Sequence, residues 1–208
     1  MSGPSGLWLG TRPLLLASGS ESRRAMLAAA GVVPEVIRPA IDERAVEAPL
    51  RAEGAGAGMV ALALARAKAL AGAATAPGRV VLGADQTLDC DGIAFHKPLD
   101  VPQAAAQLGA LAGRRHTLHS AFALTRDGVI LADGFDSAGL VMRPLTESFI
   151  ALYLHSAGPA VLQSVGAYQI EGLGAQLFES VEGDHFTILG LPLLAVLAAL
   201  RRLGLLAN

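Results

Sequence analysis

The chain has 208 residues, 52% of them hydrophobic, and 16 Lys and Arg stand against 18 Asp and Glu for a formal net charge of −2. That length suits one sizeable domain or two lobes sharing a core, and the near-neutral balance lacks the basic field that neutralises phosphates along a nucleic acid, so no nucleic-acid partner is expected. The one cysteine, Cys90, excludes an intrachain disulfide and a cysteine zinc cluster and suits the reducing cytoplasm.

Residues 1–12, "MSGPSGLWLGTR", carry no early positive charge and no cleavage site and read as a flexible N-terminal extension. "PLLLAS" (13–18) has the length of a buried strand, and "SESRRAMLAAAG" (20–31) has a serine cap, inward Met26, Leu27 and Ala30, and a terminating Gly31, so the unit reads strand, turn, helix. "PEVIRPAIDE" (34–43) predicts a second strand running into a loop, and the glycine-rich residues 53–58 a mobile stretch. "MVALALARAKALAG" (59–72) is rich in good helix formers and closes on glycine.

"GRVVLGAD" is the next strand. A two-residue Asp91-Gly92 turn then folds the chain back, pairing Cys90 with Ile93, Leu88 with Phe95 and Gln86 with Lys97. "PQAAAQLGALAG" (102–113) begins with proline and ends with glycine as helices do. Residues 115–142 read as a β-meander around Asp127-Gly128, and residues 146–158 as a helix. The apolar "ILGLPLLAVLAAL" (188–200) is shorter than the about 20 residues that span a bilayer and reads as a buried terminal helix, so no membrane partner is expected. Helices and strands alternate early while hairpins gather in the middle, which predicts an α/β fold with a mixed, twisted sheet flanked by helices. The high apolar share, with a mean hydropathy of +0.48, leaves room for a dimer face.

Chemistry concentrates at element ends. Arg23 and Arg24 occupy a first helical turn, where the dipole disfavours cations and a bound anion reverses the penalty. Ser18, Ser20, the turn amides and Arg23 would form a phosphate cradle there; a solvated arginine pair beside an ordinary serine cap is the alternative. Lys68 shares a face with Ala61, Leu64 and Ala71, so its ammonium calls for a partner, unless the stem packs and the head reaches water. Asp85 stands at the carboxyl edge of a strand, where α/β sheets bind ligands, and the four-carbon arm of Lys97 could reach a ligand shared with it; a capping aspartate and a solvated lysine are the alternative. The adjacent acids Asp42 and Glu43 offer hard oxygens to Mg²⁺, which needs only one or two carboxylates besides substrate phosphates; a solvated acidic loop is the commoner alternative. His116 and His119, three apart on a strand, point to opposite faces and make a poor metal pair. The "GLG" at 172–174 and "ASGSES" lack the spacing of a dinucleotide fingerprint, which argues against an NAD-linked oxidoreductase.

Taken together, "LLLASGSESRRAML", "AIDE", "LARAKA", "GADQTL…KP" and "GAYQIEG…LFESVEGDHFTILGLPL" resemble the Maf family of nucleoside triphosphate pyrophosphatases, in family order from about Leu14 to the terminal helix. The resemblance implies a Maf/inosine triphosphatase-like fold in which 13–208 form a single domain of two lobes with a cleft between them, working as a cytoplasmic homodimer. It implies a hydrolase that cuts a nucleoside triphosphate between the α- and β-phosphates; on physical grounds a Mg²⁺ or Mn²⁺ ion held by Glu43 and Asp85 is expected. By motif, Asp85 matches the catalytic base, Glu43 an acidic catalytic residue, and Ser20, Arg23, Lys68 and Lys97 phosphate-contacting positions.

Gln86 and Glu171 resemble the branch that prefers 7-methylguanosine triphosphate, and a Glu171 carboxylate could accept both N1–H and the exocyclic amine of guanine. Ser22 stands where that branch carries tryptophan, Glu21 where proline is usual and His96 where glycine is. The competing reading is a non-catalytic, nucleotide-binding regulator of cell division that acts through a protein partner.

Overall fold

A computed structural model describes residues 6–208. Seven strands form one mixed sheet in the order β2-β1-β3-β5-β6-β7, with β4 paired to β3. Packing divides the described residues into two units: 6–86, 120–136 and 185–208 form the first, and 87–119 and 137–184 the second.

In the first unit, β1 (Leu15–Ala17) runs parallel to both β2 (Glu35–Ile37) and the start of β3 (Val81–Cys90), with Leu16 opposite Val36 and Leu82. Both sheet faces are covered, which is why "LLLA" reads as an unbroken apolar run. Leu14 and Leu16 pack with Leu82 and Leu124 against Leu27 of α1 (Glu21–Ala29) and Val196 and Leu200 of α7 (Leu193–Arg202). Leu15, Ala17 and Val81 face the other way, onto Ala73 of α3 (Ala57–Ala74). Gly83 lets α3 approach so closely that a Cβ there would collide with the Ala65 carbonyl and the Ala69 amide.

The second unit holds the distal end of β3, β4 (Ile93–Phe95), α4 (Val101–Leu111), parts of β5 (Arg115–Arg126) and β6 (Val129–Met142), α5 (Glu147–Ala157) and β7 (Phe178–Glu182). Its interior includes a buried His116, whose Nε2 meets Tyr168 Oη at 2.8 Å, while Tyr168 packs edge-on against Phe178. The hairpin has the predicted turn: Asp91 and Gly92 both take positive φ (51° and 80°), and Cys90 pairs with Ile93 and Leu88 with Phe95. The ladder ends at Leu88–Phe95, because β4 stops at Phe95, so Gln86 and Lys97 are not ladder partners.

Three sequence readings change. The loop expected after residue 41 contains a helix, α2 (Glu43–Ala52), started by Asp42, whose carboxylate accepts from the Ala45 amide at 3.1 Å. Helix α3 begins at Ala57, inside the stretch expected to be mobile, and Gly58 lies in it against the Phe135 ring. The expected buried terminal helix is found as α7, which starts after Pro192, and Ile188 at the head of the run belongs to a separate short helix, α6 (His185–Ile188), that ends before Gly190, at φ 104°. The part of the extension expected to be loose is hydrogen-bonded, since Trp8 bridges Leu206 and the Leu9 amide donates to the Leu205 carbonyl at 3.0 Å; residues 1–5 lie outside the described residues. Among the described residues α3 is long and apolar enough to cross a membrane, yet half of it is buried in the first unit and its Arg66 pairs with Asp133 at 2.5 Å.

Candidate active site

The carboxyl ends of β1 and of the first-unit part of β3 carry the chemistry. Ser18 follows β1 and is buried; its Oγ accepts from the Ser20 amide at 3.3 Å, and Ser20 in turn caps α1 by accepting from the Arg23 amide at 3.4 Å. This double serine turn aims Arg23 inward. The Arg23 side chain is only 8% exposed, and it donates from Nε to the Gly190 carbonyl at 2.7 Å and from Nη1 to Ser18 Oγ at 3.0 Å and the Ala84 carbonyl at 2.9 Å. Nη2 carries the two donors that these bonds leave over. Arg24 faces the other way, pairing with exposed Glu21 at 2.6 Å, so of the two arginines only Arg23 belongs to the cluster.

Lys68 finds the partners its position on α3 calls for. Its ammonium donates to Asp85 Oδ1 and lies 2.8 Å from Glu43 Oε1. Asp85 and Lys68 are largely shielded from solvent, while Glu43, at the first turn of α2, is exposed. Burial pushes the Asp85 carboxyl above its ordinary value against the pull of Lys68 and Arg23, with Glu43 adding to the rise. Burial pulls the Arg23 guanidinium down, opposed by Asp85 and then Glu43. A carboxylate moved toward neutral pH, set among two cations and a second acid, is the arrangement a proton acceptor needs.

Gln86 faces the sequence segment that follows β7. Its amide nitrogen donates to Ser120 Oγ at 3.1 Å and to the Thr187 and Ile188 carbonyls at 3.2 and 3.0 Å, leaving Oε1 for a ligand. Ser120 also donates to the Thr187 carbonyl at 2.7 Å, and Thr187 Oγ1 donates to Asp136 Oδ2 at 3.1 Å. These bonds fix the α6 segment that ends in the Gly190 carbonyl holding Arg23. Ser120, Asp136, Thr187 and Gly190 are missed by sequence reasoning; the one available signal is Ser120, a lone hydroxyl in the buried run "LHSAFAL", which demands a partner. Ser22 is half-buried on α1.

The structure therefore brings Ser18, Ser20, Arg23, Glu43, Lys68, Asp85 and Gln86 into the first unit. Lys97 and Glu171 belong to the second unit, where both are exposed, Lys97 just past β4 and Glu171 in the turn between Ile170 and Gly172.

Two carboxylates converge on one ammonium and offer hard oxygens. Among the described residues no group of three or more His, Cys, Asp or Glu gathers as a self-sufficient metal cage. The donor set fits a divalent ion such as Mg²⁺, which takes one or two carboxylates and completes its shell with water and substrate phosphates.

Comparison with known proteins follows the same line. The profile of the family described as "Maf-like protein" matches residues 13–203. A 7-methyl-GTP pyrophosphatase of Rhizobium etli is 51% identical over 194 residues, 93% of this chain and 98% of that protein. Nucleoside triphosphate pyrophosphatases of Nitrobacter winogradskyi and of Rhodopseudomonas palustris strain CGA009 are 50% and 52% identical over 202 residues, each covering 97% of this chain and 98% of theirs.

Proposed function

The chain belongs to the Maf-like protein family, and on that footing we infer that it is a nucleoside triphosphate pyrophosphatase, a hydrolase releasing a nucleoside monophosphate and pyrophosphate. The observation that carries the site reading is the Lys68 ammonium held between Asp85 and Glu43, with buried Arg23 anchored on the Ala84 carbonyl next to Asp85.

Hydrolysis between the α- and β-phosphates needs three things from the protein. The polyphosphate charge must be balanced, a water must be placed in line with the leaving pyrophosphate, and a base must take its proton. Arg23 Nη2, the Lys68 ammonium and, in this proposal, Lys97 balance the charge, and they gain strength as pyrophosphate departs with a further negative charge. Lys68 occupies Asp85 Oδ1, so Oδ2 is the oxygen left to accept the proton of the attacking water. The raised Asp85 carboxyl makes it a better acceptor than an exposed aspartate. Glu43 shares the Lys68 ammonium and keeps it from neutralising Asp85 fully. A Mg²⁺ or Mn²⁺ ion held by Glu43 and Asp85 would, when bound with the nucleotide, supply Lewis-acid charge at the phosphoryl oxygens.

The preferred base in this proposal is guanine-like, with 7-methyl-GTP the candidate substrate. Glu171 would accept from the guanine edge, and Gln86 Oε1 and Ser22 would lie on the base side. Support comes from the Rhizobium etli relative's name and from the two donors that guanine, unlike uracil or thymine, offers a carboxylate. The enzyme is proposed to work as a cytoplasmic homodimer; a buried free thiol at Cys90 suits a reducing compartment, and exposed Leu152 and Leu194 supply apolar contact surface.

The test is pyrophosphate release from a panel of unmodified and methylated triphosphates with Mg²⁺ or Mn²⁺, by the wild type and by Glu171→Gln. Turnover of guanine-type substrates, with a preference that Glu171→Gln shifts, is the expected result. A profile that Glu171→Gln leaves unchanged would remove the base assignment, and silence across the whole panel would remove the enzyme.

A further inference from the structure

A second concavity lies in the first unit at the opposite ends of the strands that carry the charge cluster. Its volume is about 120 Å³, and Trp8, Arg12, Pro13, Arg79, Arg126 and Leu205 wall it. Arg79 precedes β3 and Asp85 lies within it, so at about 3.3 Å per extended residue the two places are about 20 Å apart.

The wall is firmly made. The Leu9 amide donates to the Leu205 carbonyl at 3.0 Å and the Ala207 amide to the Leu7 carbonyl at 2.9 Å, so the two chain ends fasten each other. Trp8 Nε1 donates to the Arg12 carbonyl at 3.1 Å, and its ring lies on Gly10 so closely that a Cβ there would come within 2.7 Å of it. This hook places Arg12 beside Arg79 and Arg126.

The charges do not cancel. Arg79, 15% exposed, donates from Nη2 to the Pro13 carbonyl at 2.8 Å and to Glu35 Oε2 at 2.9 Å. The nearby acid on the other side, Asp127, accepts from the Gly78 amide at 2.6 Å. Three guanidinium groups thus face two carboxylates, each already engaged. The Nε of Arg79 is buried with no hydrogen-bond partner, a state that is unfavourable unless something accepts from it. An arginine-rich concavity with an orphaned donor matches the geometry of a phosphate oxyanion.

We propose that this concavity is a second ligand site, which binds a small phosphate oxyanion through Arg12, Arg79 and Arg126 independently of the catalytic cluster. Trp8 is the only tryptophan in the chain and walls this concavity, so its fluorescence reports most directly on this place, and Arg23→Met separates any signal relayed from the catalytic cluster. The intact protein is titrated with inorganic phosphate and, separately, with pyrophosphate, at constant ionic strength maintained with chloride.

A saturable change in tryptophan emission is expected with phosphate. Arg126→Gln and Arg12→Gln, both at exposed positions, should each weaken it at least about tenfold while leaving the unfolding midpoint and triphosphate turnover unchanged. A response no different from that to chloride, or one that survives both substitutions, overturns the proposal. So does a response confined to pyrophosphate and lost in Arg23→Met, because it would originate at the catalytic cluster.

Discussion

Replacing Lys68 by Met removes the group on which both acids of the cluster converge, while keeping most of the stem that packs along α3. Asp85 is then a buried carboxylate with Arg23 as its remaining cationic neighbour. Removing one partner of a buried ion pair costs about 3–5 kcal/mol, because the other charge stays desolvated. The exposed Glu43 adds about 1 kcal/mol at most. For a chain of this size that loss lowers Tm by about 10 °C.

The loss should also depend on pH. Losing the ammonium that opposes burial raises the Asp85 carboxyl further, so the folded mutant binds a proton more tightly than its unfolded chain does. Its stability therefore falls as pH rises through the carboxyl's folded value, and the gap from wild type widens as pH rises above the wild-type carboxyl's own raised value. The assay is urea unfolding followed by circular dichroism at acidic and at neutral pH, with pyrophosphate release measured in parallel and expected to drop by about 10²-fold or more. A Lys68→Met protein within about 0.5 kcal/mol of wild type at both pH values would refute the reasoning, as would retained turnover.

Arg23→Met, which breaks bonds to Gly190, Ala84 and Ser18, should cost about 3 kcal/mol and most of the activity, whereas Arg24→Ala should change stability by no more than about 0.5 kcal/mol; unfolding of the two variants checks the contrast. Burial lowers the His116 imidazole to about 4, below its ordinary value, so stability present above pH 6.5 should decline as pH falls toward 4. The decline should reach about 2 kcal/mol between pH 8 and 5, and His116→Gln should flatten that part of the profile. Gly83→Ala should lose at least about 2 kcal/mol by denaturant unfolding, since its Cβ would meet backbone atoms of α3 that cannot move aside.

What could be read from the sequence was local. The apolar run 13–18, the Ser20 cap and the Asp91-Gly92 turn each state their structure within a few residues, and each is found as expected. Lys68 on an apolar helical face announced a missing counter-charge, and Asp85 and Glu43 supply it. Helix α2 is hidden because none of its residues is fully buried, its apolar stripe is as short as Val46 and Leu50, and Pro49 stands inside it where proline argues against a helix. The Arg23 bond to Gly190 and the Gln86 bonds to Thr187 and Ile188 run to backbone carbonyls more than a hundred residues away, and a carbonyl is the same in every residue type. The hairpin arithmetic that returned Lys97 to Gln86 assumed a full ladder, and β4 is too short to provide one.

The central claim is that the charge cluster around Asp85 cuts a nucleoside triphosphate between its first two phosphates. Phosphorus NMR of the products formed from 7-methyl-GTP and from GTP, with Mg²⁺ and with either wild type or Asp85→Asn, tests it directly. Pyrophosphate and the nucleoside monophosphate should appear together with wild type and be absent with Asp85→Asn. Orthophosphate with a nucleoside diphosphate, or equal pyrophosphate from both proteins, would contradict it.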